Sequence, residues 1–155
     1  MAQPARALAQ APTIELGDFQ LAVHRRQFPD AHDRWDGNWL HVTAQCLQAG
    51  ALVAVSGPIL EAADVQRFRD ELVAVAEAQA GSAELGGSEP NIVVRVTAAA
   101  AFGDLRVRVE LTPDPQSQGH WFAYPLDRSY VGQAIRQLDA VLALFPVLGR
   151  PPVAP

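Results

Sequence analysis

The sequence predicts an α+β fold: a mostly antiparallel β-sheet with two amphipathic helices packed on one face. Three patterns predict it. Leu105, Val107, Val109 and Leu111 alternate with Arg106, Arg108 and Glu110, as in a half-buried antiparallel strand. Val65, Phe68, Leu72 and Val75 recur at helical spacing, and so do Val131, Ile135, Leu138, Leu142 and Phe145. Strands also come in runs rather than alternating one for one with helices, which favours an antiparallel over a parallel sheet.

Taken in order, residues 1–12 are mostly Ala, Gln and Pro and read as a flexible N-terminal tail. Thr13–Leu16, Gly17-Asp18 and Phe19–Phe28 read as a hairpin, with Phe19, Leu21 and Val23 on one side. Pro29 to Asp36 is a polar loop. From Asn38 to Leu47 a strand puts Leu40, Val42, Ala44 and Cys46 on one face and Trp39, His41, Thr43 and Gln45 on the other. After a turn at Gln48-Ala49-Gly50, an apolar strand runs from Ala51 to Ser56, and Gly57-Pro58 is read as its end. The first helix is expected over Glu61–Ala80, with Glu61 and Asp64 as a weak capping pair and Gly81 as its stop. A Gly-Ser loop, a strand over Asn91–Ala98, the alternating strand, the loop PDPQSQG and a strand over His120–Leu126 follow. The second helix starts near Ser129 and Pro146 stops it. The ending RPPVAP, residues 150–155, is a Pro-rich tail, so the predicted organisation is one domain over residues 13–149 between two tails. No internal repeat is visible in the sequence.

Composition removes several classes of function. A net charge of −5 argues against a general nucleic-acid binder, which needs basic residues to displace counterions. All 12 basic residues are Arg, so every lysine mechanism is excluded. Cys46 is the single cysteine, which rules out an internal disulfide and a thiolate zinc cage and fits a cytoplasmic setting. The N-terminus lacks the apolar core of a signal peptide, and no apolar run approaches the roughly 18 residues of a membrane span. No membrane association is expected.

No catalytic constellation emerges. His41 and Cys46 sit five apart on one strand and so point to opposite faces. The serines match no nucleophile elbow, and the four histidines form no HExxH pattern. The loop PDAHDRWDG gathers Asp30, His32, Asp33 and Asp36 but lacks calcium-loop spacing, so it reads as a solvated turn rather than a metal site. No metal and no cofactor are expected. The stretch RWDGNWLHV holds two of the three tryptophans. Asp36-Gly37 signals a tight turn, and Trp35 and Trp39 either cover that corner or display their rings as interface anchors. Trp39 falls on the outward face of its strand, which favours exposure of that ring. The candidate partner-binding residues are therefore Trp35, Trp39 and His41, with Asp30, Asp33 and Asp36 as a charged border.

The stretches RWDGNWL, PILEAADVQRFRDEL, SEPNIVVRV, LRVRVEL and YPLDRSYVGQAIRQLDAVLALFPVLG, in that order over about residues 28–149, resemble the WapI-type immunity proteins of bacterial polymorphic toxin systems. The chain departs from that pattern at Glu61-Ala62-Ala63, where the family usually has a Thr or Ser cap. The resemblance implies a cytoplasmic, non-enzymatic protein that binds and blocks the C-terminal domain of a cognate toxin. The acidic charge suits a basic partner. Two other readings stand beside it: a small-ligand protein or enzyme with a pocket over the sheet face, and a homo-oligomer subunit joined through the Trp-bearing edge. The sequence fixes no oligomeric state.

Overall fold

The computed structural model describes residues 11–99 and 104–149. Strands β1 (Thr13–Leu16), β2 (Phe19–Arg26), β3 (Trp39–Gln48) and β4 (Ala51–Glu61) lead into helix α1 (Ala62–Ala78). Strands β5 (Ser82–Leu85), β6 (Ile92–Ala98), β7 (Leu105–Leu111) and β8 (Trp121–Leu126) lead, through a 3-10 turn at Arg128–Tyr130, into helix α2 (Val131–Leu144). The α+β class is as expected, but the sheet is divided in two. One four-stranded sheet has the order β1-β2-β3-β4 and the other β5-β6-β7-β8, every pair antiparallel. The chain thus runs the plan of four strands and a helix twice, an architectural repeat that no sequence similarity announces.

One continuous core joins both sheets and both helices. From β2 and β3 it takes Phe19, Leu21, Leu40 and Val42, from α1 Phe68 and Leu72, and from β7 Leu105, Val107, Val109 and Leu111. Each such side chain contributes about 1.5–3 kcal/mol on burial. The alternation in β7 holds as read, with Arg106 and Arg108 exposed on the outer face. In α2 the fully buried line is Val131, Ala134, Leu138 and Val141, while Ile135, Leu142 and Phe145 pack at its margin. Alanine carries too little hydropathy to mark a stripe. Arg69 of α1 and Asp139 of α2 pair at 2.8 Å. Tyr124 of β8 donates its hydroxyl to the Leu16 carbonyl, tying the second sheet to the end of β1.

Three local expectations change. First, Gly57-Pro58 does not end β4, which continues to Glu61. β4 is an edge strand, where a proline without an N–H is tolerated, and Gly57 takes φ 153°, a conformation that suits glycine. Leu60 pairs with Leu40 and Pro58 with His41, so Ile59 is an extra residue in a β-bulge. Second, α1 stops at Ala78 and not Ala80. Gln79 takes the left-handed cap conformation (φ 54°) and donates its N–H to the Val75 carbonyl at 2.9 Å. Third, Ser82–Leu85 lies not in a loop but in strand β5, its register set by Ala83 opposite Val96 and Leu85 opposite Val94.

Candidate partner-binding site

The loop between β2 and β3 is built from its own short-range chemistry. Asp33 Oδ1 accepts the N–H groups of Trp35 at 2.7 Å and Asp36 at 2.8 Å. Those bonds, the one from Asp36 first, hold the Asp33 carboxyl below its ordinary value. Gly37 then donates its N–H to the Asp33 carbonyl at 3.2 Å. A Cβ at Gly37 would lie 2.4 Å from that carbonyl oxygen and 2.9 Å from the Ala31 carbonyl. Crowding, rather than a positive φ, demands glycine here.

Asn38 is the centre of the corner, and only 3% exposed. Its Nδ2 donates to the carbonyls of Arg34 at 3.1 Å and Leu148 at 3.0 Å, and its Oδ1 accepts the Leu148 N–H at 2.8 Å. The Asn38 carbonyl accepts the Ala62 N–H, the first of α1, at 2.9 Å. Arg26 adds a second tie, donating to the carbonyls of Gly37 at 2.8 Å and Pro146 at 2.6 Å. The segments WDGNWL and FPVLG, far apart in sequence, therefore form one clamped unit.

The start of α1 abuts this unit. The Asp64 carboxylate accepts the Glu61 N–H at 2.9 Å and pairs with Arg67 at 3.3 Å, so the capping pair read from the sequence is present. Burial, with the Asp64 charge beside it, raises the proton affinity of Glu61. Between the loop, α1 and the C-terminal segment lies an open groove of about 300 Å³, lined by Trp35, Asn38, Glu61, Ala63, Val147 and Leu148 among others.

Of the two tryptophans, Trp35 is the displayed one. Trp35 is 67% exposed, with the Arg34 guanidinium 4.0 Å above its ring. Trp39 is half-buried, because β3 has neighbours on both sides and Trp39 sits opposite Glu61. Asp30, Asp33 and Asp36 are exposed, and Asp33 and Asp36 bracket the displayed ring. His41 lies two residues beyond Trp39 along β3, half-buried on the outer face of the first sheet and away from the groove lining. There its ring is 6.0 Å from that of His24, and its Nδ1 is 3.4 Å from Gln27 Oε1. His24 Nε2 bonds the Thr43 hydroxyl at 2.8 Å, which bonds that of Ser56 at 2.8 Å. Burial first, then the Arg25 charge, lowers both histidines below their ordinary value. Cys46 is a core residue whose thiol burial pushes up to about 11.

The sequence reading missed Glu61, Ala63, Val147 and Leu148 as groove residues, because no spacing rule brings residue 61 to residue 148. It also missed Trp121, 62% exposed at the start of β8, with the Arg108 guanidinium 4.7 Å above its ring. A hollow of about 270 Å³ beside it is bordered by Arg108, Glu110 and His120, with Arg108 and Glu110 paired at 3.1 Å. Among the described residues no three His, Cys, Asp or Glu side chains converge as metal ligands. Among them, too, no helix is long and apolar enough to cross a membrane.

No curated protein matches the chain. Among solved structures it is similar to WHY3 from Arabidopsis thaliana, at 12% identity and TM-score 0.48 over 86% of each chain. It is similar to MRP1/MRP2 of Trypanosoma bruciei, at 16% identity and TM-score 0.49, over 90% of this chain and 89% of that one. WHY1 from Arabidopsis thaliana gives 13% identity and TM-score 0.48 over 86% and 88%. At those values the likenesses carry no functional argument. A family model described as the immunity protein WapI-like family matches residues 13–146.

Proposed function

This chain belongs to the immunity protein WapI-like family, and on that premise we propose that it is a non-enzymatic inhibitor that binds and blocks the toxic domain of a cognate bacterial toxin in the cytoplasm. The family match carries the reading. The geometry supports it with a displayed aromatic: Trp35 stands 67% exposed between Asp33 and Asp36 at the lip of the groove. Exposed tryptophans of this kind anchor protein interfaces, while bordering carboxylates speed encounter with a basic partner. Trp35 is thus the anchor, Asp30, Asp33 and Asp36 the charged border, and Trp39 and His41 the flank on the sheet.

The test is co-expression with the toxin domain encoded beside this gene, followed by purification and titration. A stoichiometric complex and protected cells are expected. Trp35→Ala should weaken the complex at least about tenfold with an unchanged melting temperature. A toxin domain that neither binds nor is neutralised overturns the inhibitor reading. Full affinity in Trp35→Ala overturns the choice of anchor.

A further inference from the structure

We propose that the groove beside Trp35 seats an arginine side chain of the partner, with the Glu61 carboxylate as its counter-charge. The proposal rests on the inhibitor reading and names what the site receives. Glu61 lines the groove, half-buried, and among the described residues no cation pairs with it. Its neighbour Asp64 is satisfied by Arg67 and by the Glu61 N–H. The Glu61 carboxylate accepts the Asp64 N–H in the capping box but has no counter-ion among the described residues, and burial with the Asp64 charge beside it raises its proton affinity. A cation entering from outside supplies that counter-ion.

The rest of the groove suits the stem and plane of a guanidinium. Trp35, Ala63, Val147 and Leu148 offer apolar surface. Arg34, which also lines the groove, already covers one face of the Trp35 ring at 4.0 Å, so an incoming arginine stem lies along the remaining apolar surface while its planar head bonds the Glu61 carboxylate with two N–H groups. The local charge favours a cation. The charged residues lining the groove are Glu61 and Arg34, and the guanidinium of Arg34 lies over the Trp35 ring rather than on Glu61, while Asp30, Asp33 and Asp36 add exposed negative charge on the adjoining loop. The seat is also preformed, since the bonds of Asn38 and Arg26 fix the loop against the C-terminal segment. Little ordering then remains for binding.

The test uses the full chain alone and small probes: N-acetyl-arginine methylamide, the lysine analogue and the neutral norleucine analogue. The indole N–H signals of the three tryptophans report by NMR. The arginine probe should shift the Trp35 indole saturably while Trp121 moves little, the lysine probe should bind more weakly and norleucine not at all. Glu61→Gln should weaken arginine binding at least about fivefold. Ala63→Arg, which leaves the capping carboxylates in place, should fill the seat and abolish it. No saturable Trp35 shift, equal response to norleucine, tighter binding of lysine, or unchanged binding in both variants overturns the seat. The two readings fail separately. A toxin domain that binds without any arginine response at Trp35 removes the seat alone. An arginine response without toxin binding removes the inhibitor reading alone.

Discussion

The two halves of the chain share one plan, four antiparallel strands and a helix, yet treat their polar side chains in opposite ways. In the first half the polar side chains of the outer sheet face and of the β2–β3 corner are drawn inward, while Asp30, Asp33 and Asp36 stay in the open. Asn38 is buried in a loop and fully bonded, and on the sheet face Thr43, only 7% exposed, links His24 to Ser56. In the second half the outer face carries charge in the open: Glu84 with Arg95, and Arg108 with Glu110, each side chain at least 44% exposed. A buried polar group must keep its partner, because losing one costs its full desolvation. An exposed ion pair exchanges its partner for water at little cost. The first half is therefore where single substitutions act.

The largest effect falls on the clamp. Asn38→Ala leaves the Leu148 N–H and C=O and the Arg34 carbonyl without their partner, and should cost about 2–4 kcal/mol in chemical denaturation. A loss under about 1 kcal/mol would mean that water replaces the side chain, and the contrast between the halves would collapse.

A smaller effect follows pH. His24 and His41 bind protons less readily folded than unfolded. As pH falls through the unfolded value of about 6.5, the unfolded chain takes up protons first, so stability is complete above that value and declines below it. The melting temperature should drop between about pH 7.5 and 5, and His24→Gln with His41→Gln should flatten that slope. Asp33, Asp114 and Asp127, whose folded values are depressed, act in a separate window below about 3.9. An unchanged slope in the double variant would place the dependence outside the sheet face.

The smallest effect belongs to the second half. Arg95→Ala breaks the pair with Glu84 and should change stability by less than about 0.5 kcal/mol. A change above about 1 kcal/mol would show that the exposed face is as tightly coupled as the buried one.

What the sequence disclosed follows the same division. β7 was legible because one face is core and the other is water, which writes a period of two into the residues. The helices were legible for the corresponding reason. β5 was not, since four residues hold too little pattern and pairing with β6 defines it. Gly57-Pro58 reads as a stop in the sequence because only topology reveals that β4 is an edge. At the site, the loop and its tryptophans stood out, but which ring faces outward depends on the crowding at Gly37 and on the neighbours of β3, neither of which has a period. The groove was invisible because its walls meet across the whole chain.

That last contact has a consequence for synthesis. Asn38 and Leu148 are 110 residues apart. At roughly 5–20 residues per second, the ribosome needs on the order of 5–20 s after making residue 38 before its partner exists. Through that interval the first four strands and α1 can be complete while the corner they surround stays unbonded, so the segment around Leu148 closes a gap left open since the segment around Asn38 was made.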